Sequence, residues 1–240
     1  MASQANQDTL PVIQYPLYGD SERIIIHQQD DVMILHERLS QEATPTRLYQ
    51  PAQASFLFLL TGEVHVQSQQ HAVNIKAQQG VWFPINQTSV LTLLTPSASL
   101  CVIRFNKMKA NSILPDTLQK VSSGAVDSQI EKKQVQVWPL WETKETRISI
   151  EKYPAKYSEA IYYQKNAMHY ILPLQGQAYL ANKQAAASLC SEWGQVIPAK
   201  RASAVLNPNE EVVILLSLVI SKKAQLKGRV IVLNRPNSLS

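Results

Sequence analysis

Residues 55–66 read SFLFLLTGEVHV, and residues 169–180 read HYILPLQGQAYL. Each is an apolar run, then a glycine, then an alternating run, which is the pattern of two strands joined by a tight turn. The glycines, Gly62 and Gly176, stand 114 positions apart. The same offset recurs further along the chain. GVWFP at 80–84 meets GQVIP at 194–198, Ser89 meets Ser203, Phe56 meets Tyr170 and Leu60 meets Leu174. So many landmarks in one ungapped frame point to a duplicated unit of somewhat over a hundred residues.

Each unit reads as strands. RIIIHQQDDVMILHERL (23–39) holds two runs rich in β-branched residues around a polar QQDD turn. SVLTLLT and SLCVIRF follow in the first unit, and SAVLNPNEEVVILLSLVI, with its NPNE turn, follows in the second. Short β runs at close spacing without helical periodicity predict an all-β sandwich or barrel. The expected organisation is a first domain over 1–110, a linker over 111–134 and a second domain over 135–240. One short helix is expected in the linker, around Pro115–Val121, with Asp116 near its start. GRVIVLN (228–234) predicts a last strand on a sheet edge, crossing to the other unit.

The bulk chemistry excludes several classes. The chain is 45% hydrophobic and 17% charged, with a net charge of +5 and a pI near 9.1. Its lysines and arginines form short clusters (Lys132–Lys133, Lys200–Arg201, Lys222–Lys223) rather than one stripe interleaved with aromatics, so no nucleic-acid partner is expected. Cys101 and Cys190 sit in apolar surroundings, read as buried structural thiols, and no CxxC occurs. No leader pattern opens MASQANQDTLPVIQYP and no apolar run reaches membrane-spanning length, so the expectation is a cytoplasmic protein with no membrane partner.

With both units in view, the sequence resembles the cupin superfamily. Gly62 and Gly176 match the glycine that closes the first cupin motif, and Pro84 and Pro198 match the proline of the second. Asn86 stands where that motif has glycine, and asparagine tolerates left-handed backbone. The resemblance implies an all-β protein of two tandem cupin-like barrels or jelly rolls with a short helical linker. It also locates the positions where cupins hold a divalent metal with three histidines and a glutamate. In the first unit these fall at Ser55, within Leu48–Pro51, and at Ser89; in the second at His169, within Tyr162–Lys165, and at Ser203. Only His169 is a metal-ligand type, so no metal site and no cofactor are expected.

Five histidines occur. His65 and His71 flank a polar turn and are expected to face solvent, His27 adjoins the QQDD turn, and His36 lies near a strand end beside Glu37. His169 points into the second barrel by the resemblance, either as a core histidine bonded to a carbonyl or tyrosine, or as a general acid/base. Tyr162, Tyr163 and Lys165 are expected to share its cavity, with Arg201 and Ser203 closing it as one face of an extended segment. His169 and Tyr163 are the catalytic candidates; Tyr162, Lys165, Arg201, Ser203, Ser55 and Ser89 are the ligand-binding candidates. The first barrel, with Ser55, Ser89 and Gln50, shows no acid, base or activated nucleophile, and Leu57, Leu59 and Val81 are read as filling it.

Three functions are compatible with this pattern. The first is a metal-free protein binding a small molecule, a sugar or organic acid, or acting as a scaffold. The second is a metal-independent isomerase or epimerase using His169 and a tyrosine. The third is a metal-dependent, dioxygenase-like protein with ligands off the motif. Both faces of SFLFLL are apolar, which leaves monomer and homodimer open.

Overall fold

The computed structural model describes residues 13–29, 32–49, 51–69, 71–105, 115, 117–131, 134–182, 184–221 and 229–231. The chain divides into two compact units, Met1–Val121 and Ser122–Ser240. Among the described residues the regular structure is strand, apart from one 3-10 turn at Ser123–Ala125.

The first unit contains β1 (Ile13–Tyr18), β2 (Ser21–Gln28), β3 (Val32–Ser40), β4 (Thr46–Tyr49), β5 (Ala54–Thr61), β6 (Glu63–Gln67), β7 (Ala72–Lys76), β8 (Gln79–Phe83), β9 (Ser89–Leu93), β10 (Ser97–Phe105) and β11 (Gln119–Ser122). They form a seven-stranded sheet, β1-β2-β3-β10-β5-β8-β11, and a four-stranded sheet, β4-β9-β6-β7. The core draws on both sheets: Leu57, Leu59, Leu100 and Val102 from the first meet Val64, Val66, Leu91 and Leu93 from the second. Strand alternation turns the intervening residues of the large sheet outward. There Phe56, Trp82 and Phe105 are also buried, with ring centroids 5.1 and 5.6 Å apart in successive pairs. The apolar character of both faces of SFLFLL is therefore used twice.

The turn from β5 to β6 depends on its glycine. Gly62 has φ +87°, and a β-carbon there would lie 2.5 Å from the Ser97 carbonyl oxygen. Asn86 has φ 59°, the left-handed conformation expected of it, and Lys200, its counterpart in the second unit, has φ 67°.

The second unit contains β12 (Gln129–Glu131), β13 (Val135–Glu142), β14 (Thr146–Tyr153), β15 (Tyr157–Ser158), β16 (Tyr162–Gln164), β17 (Ala167–Gln175), β18 (Tyr179–Ala181), β19 (Ala186–Ser188), β20 (Gln195–Ile197), β21 (Ala204–Asn207), β22 (Val213–Ser221) and β23 (Arg229–Ile231). The sheets are β12-β13-β14-β22-β17-β20, β15-β21-β18-β19 and the pair β16-β23. Ile171, Leu215 and Val137 pack against Val205, Ala178 and Tyr157 in its core.

Several expectations are corrected. Among the described residues of Pro115–Val121 there is no helix: Gln119–Ser122 is strand β11, and the 3-10 turn follows it. Val121, buried on that strand, gains more from pairing at the sheet edge than from a short isolated helix. The stretch expected as linker also contributes β12, which pairs with β13; residues 106–114, 116 and 132–133 lie outside the described residues. Of the last strand expected over 228–234, the described part, Arg229–Ile231, pairs with Tyr162–Gln164 of its own unit; 228 and 232–234 lie outside the described residues. Cys101 is buried as expected, but Cys190 is exposed, in the turn after β19. His36 is buried in the middle of β3 rather than near a strand end.

Candidate functional site

In the first unit the inward faces are set by period-2 alternation from the core leucines and valines. That alternation places Glu37 between Leu35 and Leu39, Ser55 beside Leu57, Ser89 beside Leu91, and Arg104 beyond Val102, all on the inner side. The ladders bring them together at one end. Ser55 is opposite Phe83 on β8 and opposite Arg104 on β10, and Tyr49 is opposite Ser89.

A cavity of about 300 Å³ opens at this end. Its apolar wall is Tyr49, Phe83, Val102, Leu48, Pro51 and Ala52, and its polar wall is Ser55, Gln53 and Arg104. The Tyr49 and Phe83 rings are stacked at 5.0 Å and 21°. The Ser55 hydroxyl donates to the Gln53 carbonyl at 3.2 Å. Ser89 is fully buried, and its hydroxyl has no hydrogen-bond partner among the described residues.

Beneath the cavity lies a buried carboxylate, Glu37. Arg23 donates to its Oε1 from Nε at 2.9 Å and from Nη2 at 2.7 Å. Arg47 donates to Oε1 at 3.1 Å and to Oε2 at 3.3 Å, and the Tyr49 hydroxyl donates to Oε2 at 2.5 Å. Burial, reinforced by the Glu37 charge, pushes the Tyr49 hydroxyl well above the usual phenol range, while Arg23 and Arg104 pull against that shift. Tyr49 is therefore a neutral donor committed to Glu37.

The second unit repeats these ladder positions with different chemistry. His169 stands where Ser55 does, opposite Ile197 and Val219. Tyr162 is bridged to Ser203 as Tyr49 is to Ser89. Glu151 is opposite Leu215 as Glu37 is opposite Leu100. Glu151 accepts from the Ser149 hydroxyl at 3.1 Å and the Tyr153 hydroxyl at 2.6 Å. Glu159 accepts from the Val205 amide at 2.9 Å and the Tyr157 hydroxyl at 3.3 Å. Burial first, and these carboxylates second, raise the Tyr153, Tyr157 and Tyr162 hydroxyls above the usual phenol range.

His169 is buried, with Nε2 2.8 Å from the Ser217 hydroxyl. Its expected partner was a carbonyl or tyrosine; the hydroxyl of Ser217, inward on β22, takes that place. Burial lowers the imidazole pKa and the Glu151 charge opposes the shift, so the ring is neutral near pH 7.

The structure gathers some expected site residues and separates others. Ser55 lines the cavity, Ser89 lies on the same inner face, and Tyr162, Ser203 and His169 occupy the corresponding end of the second unit. Tyr163 is one step along β16 from Tyr162, and alternation turns it to the other side. Lys165 is exposed in the turn after β16 and does not join a His–Tyr–Lys cluster. Arg201 lies half-buried in the turn closed by its amide to the Pro198 carbonyl, so it and Ser203 do not form one extended face. His65 is half-exposed with Nδ1 2.7 Å from the Asn74 side-chain oxygen, and His71 is exposed. Gln50 lies outside the described residues.

The positions where the resemblance puts a metal hold few donors. Among the described residues no group of three or more His, Cys, Asp or Glu side chains converges. At the first site the nearest carboxylate, Glu37, already carries two guanidiniums and a phenol, and the remaining groups are hydroxyls. At the second, the His169 Nε2 is engaged by Ser217. Neither donor set fits a divalent ion of the first transition row.

Glu37, Tyr49, Arg104, Glu151 and Glu159 were not singled out as site residues in the sequence. A signal existed for two of them: Glu37 and Glu151 are each a charge on an apolar strand and stand 114 positions apart.

Neither a family model nor a curated protein matches the sequence. The fold is similar to those of solved structures. AerE from Microcystis aeruginosa is similar with a TM-score of 0.70 at 15% identity, over 88% of this chain and 97% of that one. A cupin 2 conserved barrel domain protein from Leptotrichia buccalis gives 0.65 at 11%, over 90% and 99%. A mutant of Bacillus subtilis oxalate decarboxylase gives 0.64 at 10%, over 97% and 80%. At these identities the likeness establishes the cupin fold and nothing about chemistry.

Proposed function

We propose that the chain is a degenerate bicupin, a duplicated pair of cupin barrels whose metal ligands have been replaced, and that its first barrel binds a small molecule without a metal. The observation that carries this is the cavity of about 300 Å³ at the positions where cupins place their ligands, walled by Ser55, Tyr49, Phe83 and Arg104. Its size is at the lower end of the range of small-molecule pockets, about 300–1,000 Å³. An apolar wall with a few convergent polar groups is the usual make-up of such a site. The isomerase reading, centred on His169, has weaker support. That imidazole is buried against Ser217, and Tyr163 and Lys165 do not stand with it.

A thermal-shift screen of small acids, sugars and neutral metabolites in the presence of chelator tests the reading. The expected result is stabilisation by at least one class, lost in Ser55→Phe, which fills the cavity, and in Ala52→Trp, which blocks its rim. Stabilisation that survives both variants, or that needs added metal, overturns it.

A further inference from the structure

The walls of the first unit's cavity narrow the class of ligand. Three guanidiniums, Arg23, Arg47 and Arg104, act on the Tyr49 ring or hydroxyl, through the field or by Arg47 lying 5.6 Å from the ring centroid. Among the described residues they face one inward carboxylate, Glu37, and no acidic side chain lines the cavity. Arg23 and Arg47 are held on Glu37 and do not line the cavity, which leaves Arg104 as the cation on its wall. A planar guanidinium recognises a carboxylate through paired N–H donors.

Apart from Arg104, Ser55 and Gln53, the side chains of the lining are apolar or, for Tyr49, already bonded. The Tyr49 hydroxyl is committed to Glu37, and its ring, stacked on Phe83 and contacted by Arg47, lines the cavity beside Phe83, while Val102 stands two residues from Arg104 on β10. A polyol would leave most of its hydroxyls unpaired against such a surface, at a cost for each. A dicarboxylate would place its second charge against apolar carbon. A flat apolar body would instead replace water on both rings.

From this we infer that the first barrel selects a small monocarboxylate with a flat apolar body, its carboxylate on Arg104 and its body against Tyr49 and Phe83. The inference rests on the small-molecule reading above and specifies its ligand. The Ser55 hydroxyl, 3.2 Å from the Gln53 carbonyl, is a second donor that a bound oxygen can take over.

Isothermal titration of the full chain with benzoate, acetate, oxalate, glucose and benzamide tests it. Benzoate is expected to bind more tightly than every other probe, and Arg104→Gln to weaken benzoate by about tenfold or more, as removal of a charge-assisted pair does, while leaving benzamide little changed. Oxalate or glucose binding more tightly than benzoate, in a manner abolished by Ser55→Phe, would overturn the ligand class and leave the binding site standing. No binding by any probe, together with a screen in which nothing stabilises the protein, would overturn both. Benzoate binding that Arg104→Gln does not alter would overturn the assignment of the carboxylate to Arg104.

Discussion

Glu37 accepts the hydroxyl of Tyr49, a residue of the first unit's cavity wall. Its side chain is fully buried, with a side-chain exposure of 0%, and two arginines and a tyrosine saturate it. Breaking such a pair leaves uncompensated charge in the interior. Glu37→Gln keeps the shape and removes the charge, so denaturant unfolding should show a loss of about 3 kcal/mol; Tyr49→Phe, which deletes one hydrogen bond, should cost about 1–2 kcal/mol. His169 gives a second, opposite test. Its pKa in the fold is below 6.5, and Glu151 is the charge that faces it. Between the folded and unfolded values the unfolded chain binds the proton and the fold does not. This stability is complete above about pH 6.5 and is lost as pH falls toward the folded pKa, at up to about 1.4 kcal/mol per pH unit. His169→Gln should flatten that acid limb in unfolding curves taken between pH 7.5 and 5; an unchanged slope would mean that the ring is not buried neutral.

The elements show which parts of the fold were legible. β5 and β17 were readable because a long apolar run ending in glycine has few other uses, and β2, β3, β9, β10, β21 and β22 were readable from β-branched runs bounded by polar turns. β11 was not. QKVS has one buried apolar residue, and it becomes a strand because β8 offers it an edge, which no local window contains. The glycines carry a test at this scale. Gly194 has φ +67°, and a β-carbon would lie 2.3 Å from the Ile171 carbonyl oxygen, whereas Gly124 has open space around it. Gly194→Ala should lower stability by about 2 kcal/mol or more, and Gly124→Ala should be neutral by the same unfolding measurement. Equal effects would remove the close approach of that turn to β17.

At the scale of the whole molecule, the two units share ladder positions and differ in charge. The first presents guanidiniums around Tyr49, and the second presents Glu151 and Glu159 among tyrosines, with Val219 at the place of Arg104. The sequence indicated the shared positions, because Ser55, Ser89, His169 and Ser203 follow from the offset of 114. It drew attention to the second unit, because a histidine is conspicuous in a list of residues while a cavity is not. Arg104 and Tyr49 lie on strands of different sheets and meet only as walls of one cavity. The exchange of metal donors for organic binding groups proposed above implies a protein that carries no stoichiometric metal. Elemental mass spectrometry of protein purified without chelator or added metal tests it most directly. Manganese, iron, nickel and zinc are expected far below one ion per chain, and near-stoichiometric content of any of them would overturn it.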